Sequence, residues 1–230
     1  MFSEFFVTQM LRNDIQIAEV SVRDAIAMVI EEIFRSEDLL VRFVGGFSQS
    51  RMVVTFDCYN NTRSLDRKGF GESFFAQRSV DSIHVISKNN AWYQHPEMLA
   101  ALHEIQKRTK AYGRVVTYGA SMGAYGAIRF AASVNAQTAI AIAPQYSIDP
   151  AVCPFEARWS EAKLIKFIYD AGAKLEPVSD AIVFYDPYDV NDRKQIALIK
   201  ADIAITEIQL PHAGHSAGIF LAELALLAES

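Results

Sequence analysis

The stretch that most limits what this chain can become is Arg114-Val-Val-Thr-Tyr118, followed at once by Gly119-Ala-Ser-Met-Gly123 and an alanine-rich run to Val134. An apolar strand that enters a tight glycine turn and leaves as a helix is a βα unit. A strand so continuously apolar suits a parallel sheet buried on both faces. Ala120, Ala124, Gly126 and Ala127 are small, as close packing of that helix on its strand requires. Similar apolar runs occur at Leu39–Phe43, Arg51–Phe56, Ser82–Ser87, Ala139–Ala143, Ala181–Tyr185 and Ile205–Leu210. Between them the spacing predicts helices over Glu97–Ala111, Ala124–Val134, Asp192–Ala201 and Ser216–Glu229. The first of these has Pro96 at its start and Gly113 past its end, the expected asymmetry. Strands alternating with helices specify an α/β fold: a mostly parallel central sheet with helices on both faces.

Two segments depart from the alternation. Near the start, Ser21-Val-Arg-Asp24 reads as a cap for a helix whose apolar positions are Ile26, Val29, Ile30, Ile33 and Phe34. Asp57 to Glu72 is polar and irregular. Residues 145–177 are interrupted by prolines, with one helical segment near Ser160–Tyr169, and read as an insertion or lid over a site. No repeat, low-complexity tract or linker divides the 230 residues, so one domain spanning 1–230 is expected.

Charge and cysteine content exclude several partners. A formal net charge of -5 argues against a phosphate-backbone ligand, and the basic groups around Arg63–Lys68 and Lys107–Lys110 read as solvated faces. Cys58 and Cys153 are too few for a disulfide framework and lack metal-ligand spacing. No run is long and apolar enough for a membrane helix, and the N-terminus lacks the basic region of a signal peptide, so a cytoplasmic location is expected. Nothing points to a metal or organic cofactor, and the sequence is silent on oligomeric state.

The glycine turn also carries chemistry. In a G-x-S-x-G turn between strand and helix, the serine sits at a strained apex with its hydroxyl above the sheet. The helix that follows aims its positive N-terminus at the same place. An ordinary glycine-rich βα turn is the plainer reading, but neither G-x-G-x-x-G nor a Walker pattern is present. A serine needs a base, and the base needs an orienting acid, here expected in the order Ser, Asp, His on late loops. The strand ending at Tyr185 feeds Asp186-Pro-Tyr-Asp189-Val-Asn-Asp192, and the last strand feeds Pro211-His212-Ala-Gly-His215-Ser216. Asp189 is the expected acid, with Asp186 as the alternative and Asp192 read as the N-cap of the next helix. A turn role for all three also stays open. His215, beside Gly214 at the loop tip, is preferred to His212. The Met122 amide should supply one oxyanion donor and the loop Asp57-Cys58-Tyr59-Asn60 the other, with Cys58 best placed unless it is simply a buried small residue.

On these features the chain resembles the α/β-hydrolase superfamily from about Arg51 to Ser230, with Met1–Ser50 short for that fold's usual first strands. The resemblance implies a Ser121–Asp189–His215 triad working through an acyl-enzyme on esters, amides or thioesters. Asn90-Ala-Trp92-Tyr93-Gln94, Tyr118–Gly123, Pro144–Pro150 and Arg158-Trp159 are also similar to hydrolase-like proteins of bacterial polysaccharide clusters and accessory secretion systems. That similarity implies acyl groups on glycans or glycosylated proteins. Trp92, Tyr93, Tyr146, Phe155 and Trp159 either line an acyl or sugar pocket or pack the lid. Three activities remain in view: ester hydrolysis, acyl transfer with the same residues, and binding by a fold that no longer turns over substrate.

Overall fold

A computed structural model describes residues 28–47, 50–170 and 172–218. Among the described residues eight strands form one sheet: β1 (Val29–Arg35), β2 (Leu39–Gly45), β3 (Arg51–Phe56), β4 (Ser82–Ser87), β5 (Arg114–Ala120), β6 (Thr138–Ile142), β7 (Asp180–Tyr185) and β8 (Thr206–Gln209). Their spatial order is β1-β2-β4-β3-β5-β6-β7-β8. β2 runs antiparallel to both β1 and β4, and every other pairing is parallel. The helices are α1 (Glu72–Gln77), α2 (Met98–Thr109), α3 (Met122–Arg129) and α4 (Val190–Asp202). No helix among the described residues is long and apolar enough to cross a membrane.

The central strands are buried along their length, as their unbroken apolar runs require: all six residues of β4 and all five of β6 are shielded. Met52, Val54, Ile83, Val85 and Val115 pack one face together with Met98, Leu102 and Ile105 of α2 and with Tyr125 and Phe130. Val53, Val116, Tyr118, Ile140 and Phe184 form the other face.

Two expectations for the first fifty residues are overturned. Val29, Ile30, Ile33 and Phe34 lie on a strand, not a helix; residues 21–27 of the expected element lie outside the described residues. Spacing of 29, 30, 33, 34 is helical and not alternating, and the turn at Ser36 with the pairing to β2 overrides it. Ser36 N–H donates to the Leu39 carbonyl (2.8 Å), and Ser36 Oγ accepts from Leu39 N–H (3.0 Å), folding β1 back on β2. The segment is therefore long enough to supply the fold's first two strands. The polar stretch after β3 ends where α1 begins, at Glu72, and the sequence pattern did not reveal that helix. The final expected helix, from Ser216 on, falls largely outside the described residues.

Among its described residues the insertion between β6 and β7 holds a short 3₁₀ turn, Ser160–Lys163, where a longer helical segment was expected. It is a packed wall. Buried Asp170 accepts from Tyr125 Oη (2.6 Å), Gln94 Nε2 (3.2 Å) and Ser147 Oγ. Gln94 Oε1 in turn accepts the amides of Ile168 (2.7 Å) and Tyr169 (2.9 Å). These bonds fix the insertion to the helix and loop beneath it.

Candidate active site

The carboxyl ends of β3, β5, β6, β7 and β8 converge, the usual place for a site in an open α/β sheet. At the end of β5, Ser121 takes φ 51° and ψ −118°, a region costly for a side-chain-bearing residue. Its amide donates to the Ile142 carbonyl (2.8 Å) and its carbonyl accepts from Tyr125 N–H (3.1 Å), which locks the apex between strand and helix. Both flanking glycines are required by contact. A Cβ on Gly119 would lie 2.2 Å from the Gly123 carbonyl carbon, and one on Gly123 would lie 2.3 Å from the Phe56 carbonyl oxygen. The chain after β3 thus crosses directly over the start of α3.

Ser121 Oγ lies 2.9 Å from His215 Nε2. On the ring's other side, Nδ1 lies 2.8 and 3.0 Å from the two oxygens of Asp192, which fixes its hydrogen there. The loop bearing His215 is pinned by Asp186, whose Oδ2 accepts from Gly214 N–H (2.8 Å) and whose Oδ1 accepts from Tyr188 N–H (2.8 Å).

Asp189 and Asp192 therefore exchange the places expected of them. Asp189 is the N-cap of α4, accepting from the amides of Asn191 and Asp192 at 2.9 Å each. Helix α4 begins two residues earlier than its pattern suggested, so Asp192 falls in its first turn. Its buried neighbours Ile196, Ile199 and Ile203 sit four, seven and eleven positions on, which puts Asp192 on the face turned to the sheet. An acid on the buried face of a helix was the legible signal. His212 stacks on exposed Tyr188 (4.8 Å between ring centres).

Gln145, directly after Pro144 past the end of β6, is noted above only within the resembling segment Pro144–Pro150 and was given no role there. Its Nε2 lies 3.3 Å from Ser121 Oγ and 3.2 Å from His215 Nε2. The indole N–H of Trp92, which can only donate, binds Oε1 at 3.2 Å and so orients the amide. A polar side chain at the end of the strand beside the one that carries Ser121 was the available clue. Arg158, noted above only as part of a resemblance, places Nη1 2.9 Å from Asp192 Oδ1.

The aromatic residues divide. Trp159 stands edge-on to His215 (5.5 Å), and Tyr59 and Trp92 lie against it at 5.3 and 5.1 Å. Trp92 and Tyr93 are wholly buried. Tyr93 braces the loop after β3, donating its hydroxyl to the Asp57 carbonyl (2.7 Å). Tyr146 turns away to Asp202 (2.9 Å) and the Arg129 guanidinium, and Phe155 lies under Lys194. Neither meets Ser121.

The residue pair carrying Cys58 is held from the other side. Burial pushes the Asp57 carboxyl up to about 6 despite Arg67 Nη1 at 2.6 Å, and Asp57 Oδ1 accepts from Phe70 N–H (3.0 Å). Burial likewise raises the Cys58 thiol. The amide of Met122, first residue of α3, is one of the donors a helix leaves unused.

No protein-family model and no curated protein matches the sequence. The fold does match solved structures. A capsule O-acetyltransferase of Neisseria meningitidis serogroup A, in complex with CoA, is 13% identical with a TM-score of 0.59, over 87% of this chain and 95% of that one. An α/β hydrolase from a Medee basin deep-sea metagenome library is 14% identical with a TM-score of 0.51, over 80% and 81%. A Pyrococcus furiosus esterase is 13% identical with a TM-score of 0.51, over 88% and 89%.

Proposed function

Given that this chain has the α/β-hydrolase fold, we propose that it is a serine enzyme acting on esters through an acyl-enzyme at Ser121. The observation that carries this reading is the unbroken chain of contacts from Ser121 Oγ through His215 to Asp192. Each group faces the partner its chemistry requires, and the nucleophile's strained backbone holds it there.

In the first half-reaction Ser121 Oγ attacks the ester carbonyl carbon while His215 Nε2 takes the hydroxyl proton. Asp192 holds the ring through Nδ1–H and balances the imidazolium that forms. The carbonyl oxygen becomes an oxyanion, received by the amides of Met122 and Cys58 across the contact at Gly123. Collapse breaks the bond to the leaving oxygen, which departs as an alcohol with the proton from Nε2. In the second half, His215 takes a proton from an incoming hydroxyl, which attacks the acyl carbon, and Ser121 leaves with that proton.

Water as the incoming hydroxyl makes the enzyme an esterase. The likeness to the O-acetyltransferase favours a second reading, in which a substrate alcohol takes the acyl group. The wall of Trp159, Trp92 and Tyr59 beside the histidine supports it, since excluding water favours transfer. Incubation with p-nitrophenyl acetate tests both. Nitrophenol release that Ser121→Ala abolishes supports the acyl-enzyme, and faster release with added alcohols, with acetyl ester formed, supports transfer. No release above the Ser121→Ala background contradicts the proposal.

A further inference from the structure

Asp192 is fully buried, and a general base must be neutral before it can act. Between turnovers the carboxylate therefore faces an uncharged ring, a costly state for a buried charge without a cation. Arg158 supplies the cation. Its Nη1 lies 2.9 Å from Asp192 Oδ1 and 3.7 Å from Asp189 Oδ1. Its other nitrogens grip Glu156 as a fork, Nε to Oε1 at 2.9 Å and Nη2 to Oε2 at 2.6 Å. Glu156 is itself buried and accepts from Gln195 Nε2 (3.2 Å) on α4, the helix that carries Asp192. The guanidinium is thus held against the acid from both sides.

The geometry points to Arg158 as a positioning residue for the proposed acyl-enzyme chemistry. It holds the Asp192 carboxylate in place against His215 Nδ1 with a permanent positive charge beside the pair, and so makes the β6–β7 insertion part of the machinery. The inference rests on the reading of Ser121 given above. Burial alone would lower Arg158's hold on its proton, but the bonds to Glu156 and Asp192 raise it above the ordinary value, so the charge is permanent. Burial likewise pushes Glu156 up, and the Arg158 bond and charge more than offset it, holding Glu156 below its usual range.

The groups that set the pair's proton affinity come from several elements. Asp186 binds the amide next to His215, His212 lies on the same loop, Asp189 caps α4, and Glu156 and Arg158 come from the insertion. Gln145 Nε2 and the Trp159 ring face the imidazole without charge. Removing a positive charge beside the pair makes it bind a proton more tightly, whichever of the two groups carries that proton. The working form is the unprotonated one.

The test is the rate of fluorophosphonate labelling as a function of pH. Arg158→Met should move the acid-side fall in rate upward by about one pH unit or more, the effect of a charge at this range. Glu156→Gln, which deletes a negative charge, should move it downward. Arg158→Lys keeps the charge but not the fork, so the fall should stay in place while the plateau drops. A lower plateau in Arg158→Met with an unmoved fall means the residue is merely structural and overturns this inference alone. If Arg158→Met does not fold, the other two variants decide, and an unmoved fall in Glu156→Gln overturns the inference. A folded wild type that never labels overturns the acyl-enzyme reading and this inference with it.

Discussion

Asp192 meets His215 Nδ1 at 2.8 Å from the first turn of a helix, not from the loop before it. That turn is set by Asp189, whose carboxylate binds the Asp192 amide and fixes the direction in which the helix leaves. The two acids divide the work, one fixing the backbone and the other the imidazole.

The division can be separated by substitution. Asp192→Asn leaves the shape but permits the wrong tautomer, and turnover should fall about 10³- to 10⁴-fold. Asp189→Ala removes the cap, lowering stability by about 1 kcal/mol with a far smaller loss of turnover. Steady-state kinetics with urea unfolding on both variants checks this. Equal kinetic losses would contradict the assignment.

The contact at Gly123 predicts a packing effect with a catalytic readout. In Gly123→Ala the new methyl meets the Phe56 carbonyl oxygen, a backbone atom that cannot swing aside. The loop carrying Cys58 must shift or the helix must lift. Stability should drop by about 1–3 kcal/mol, and kcat should fall more than KM changes. Thermal unfolding and kinetics on the variant measure both.

Asp57 and His84 give opposing pH dependences. Asp57 has an unfolded value of 3.8 and a folded value of about 6, so its contribution is full below the first and lost as pH rises through the second. His84 sits between the hydroxyls of Thr55 (2.7 Å) and Ser82 (2.9 Å), and burial pushes it down from 6.5 to about 4. Its contribution is full above 6.5 and lost as pH falls through about 4. Each amounts to about 3 kcal/mol, and they largely cancel over the same window. Asp57→Asn removes one slope. That variant should lose about 3 kcal/mol on acidification from the neutral range to about pH 4 while wild type changes little, as chemical unfolding across pH would show.

Gln145 predicts a different kinetic signature. Its amide stands where the leaving or incoming oxygen must approach His215 Nε2, so Gln145→Ala should lower kcat about 10-fold or more, with the acyl-enzyme still forming. Trp92→Phe frees the amide to flip and should reproduce part of the loss. Burst kinetics with an activated ester separates the two half-reactions.

What the sequence disclosed was governed by how local each signal is. The turn at Ser121 is a five-residue pattern with steric reasons for its glycines, and the strand that feeds it is apolar throughout. The histidine loop was legible for the same reason: Gly214 and the last strand frame it. The acid was misplaced because three aspartates lie within seven residues, and the choice among them turns on where α4 begins, a boundary set by hydrogen bonds to Asp189. Val29–Arg35 was misread because its apolar spacing is helical, and the Ser36 turn and the pairing with β2, which lie outside that spacing, override it. Gln145 and Arg158 act through contacts with residues far along the chain, Arg158 with Asp192 and Gln145 with both Ser121 and His215. For Arg158 no local pattern announces the contact, and for Gln145 the only local clue is its place at the end of the strand beside the one that carries Ser121.

The central claim is that His215 and Asp192 activate Ser121. Fluorophosphonate treatment of the folded protein, followed by peptide mass spectrometry, tests it most directly. The account predicts one adduct, on the peptide containing Ser121, absent in Ser121→Ala and His215→Ala and strongly slowed in Asp192→Asn. A folded wild type without an adduct, or labelling that persists in Ser121→Ala, would contradict it.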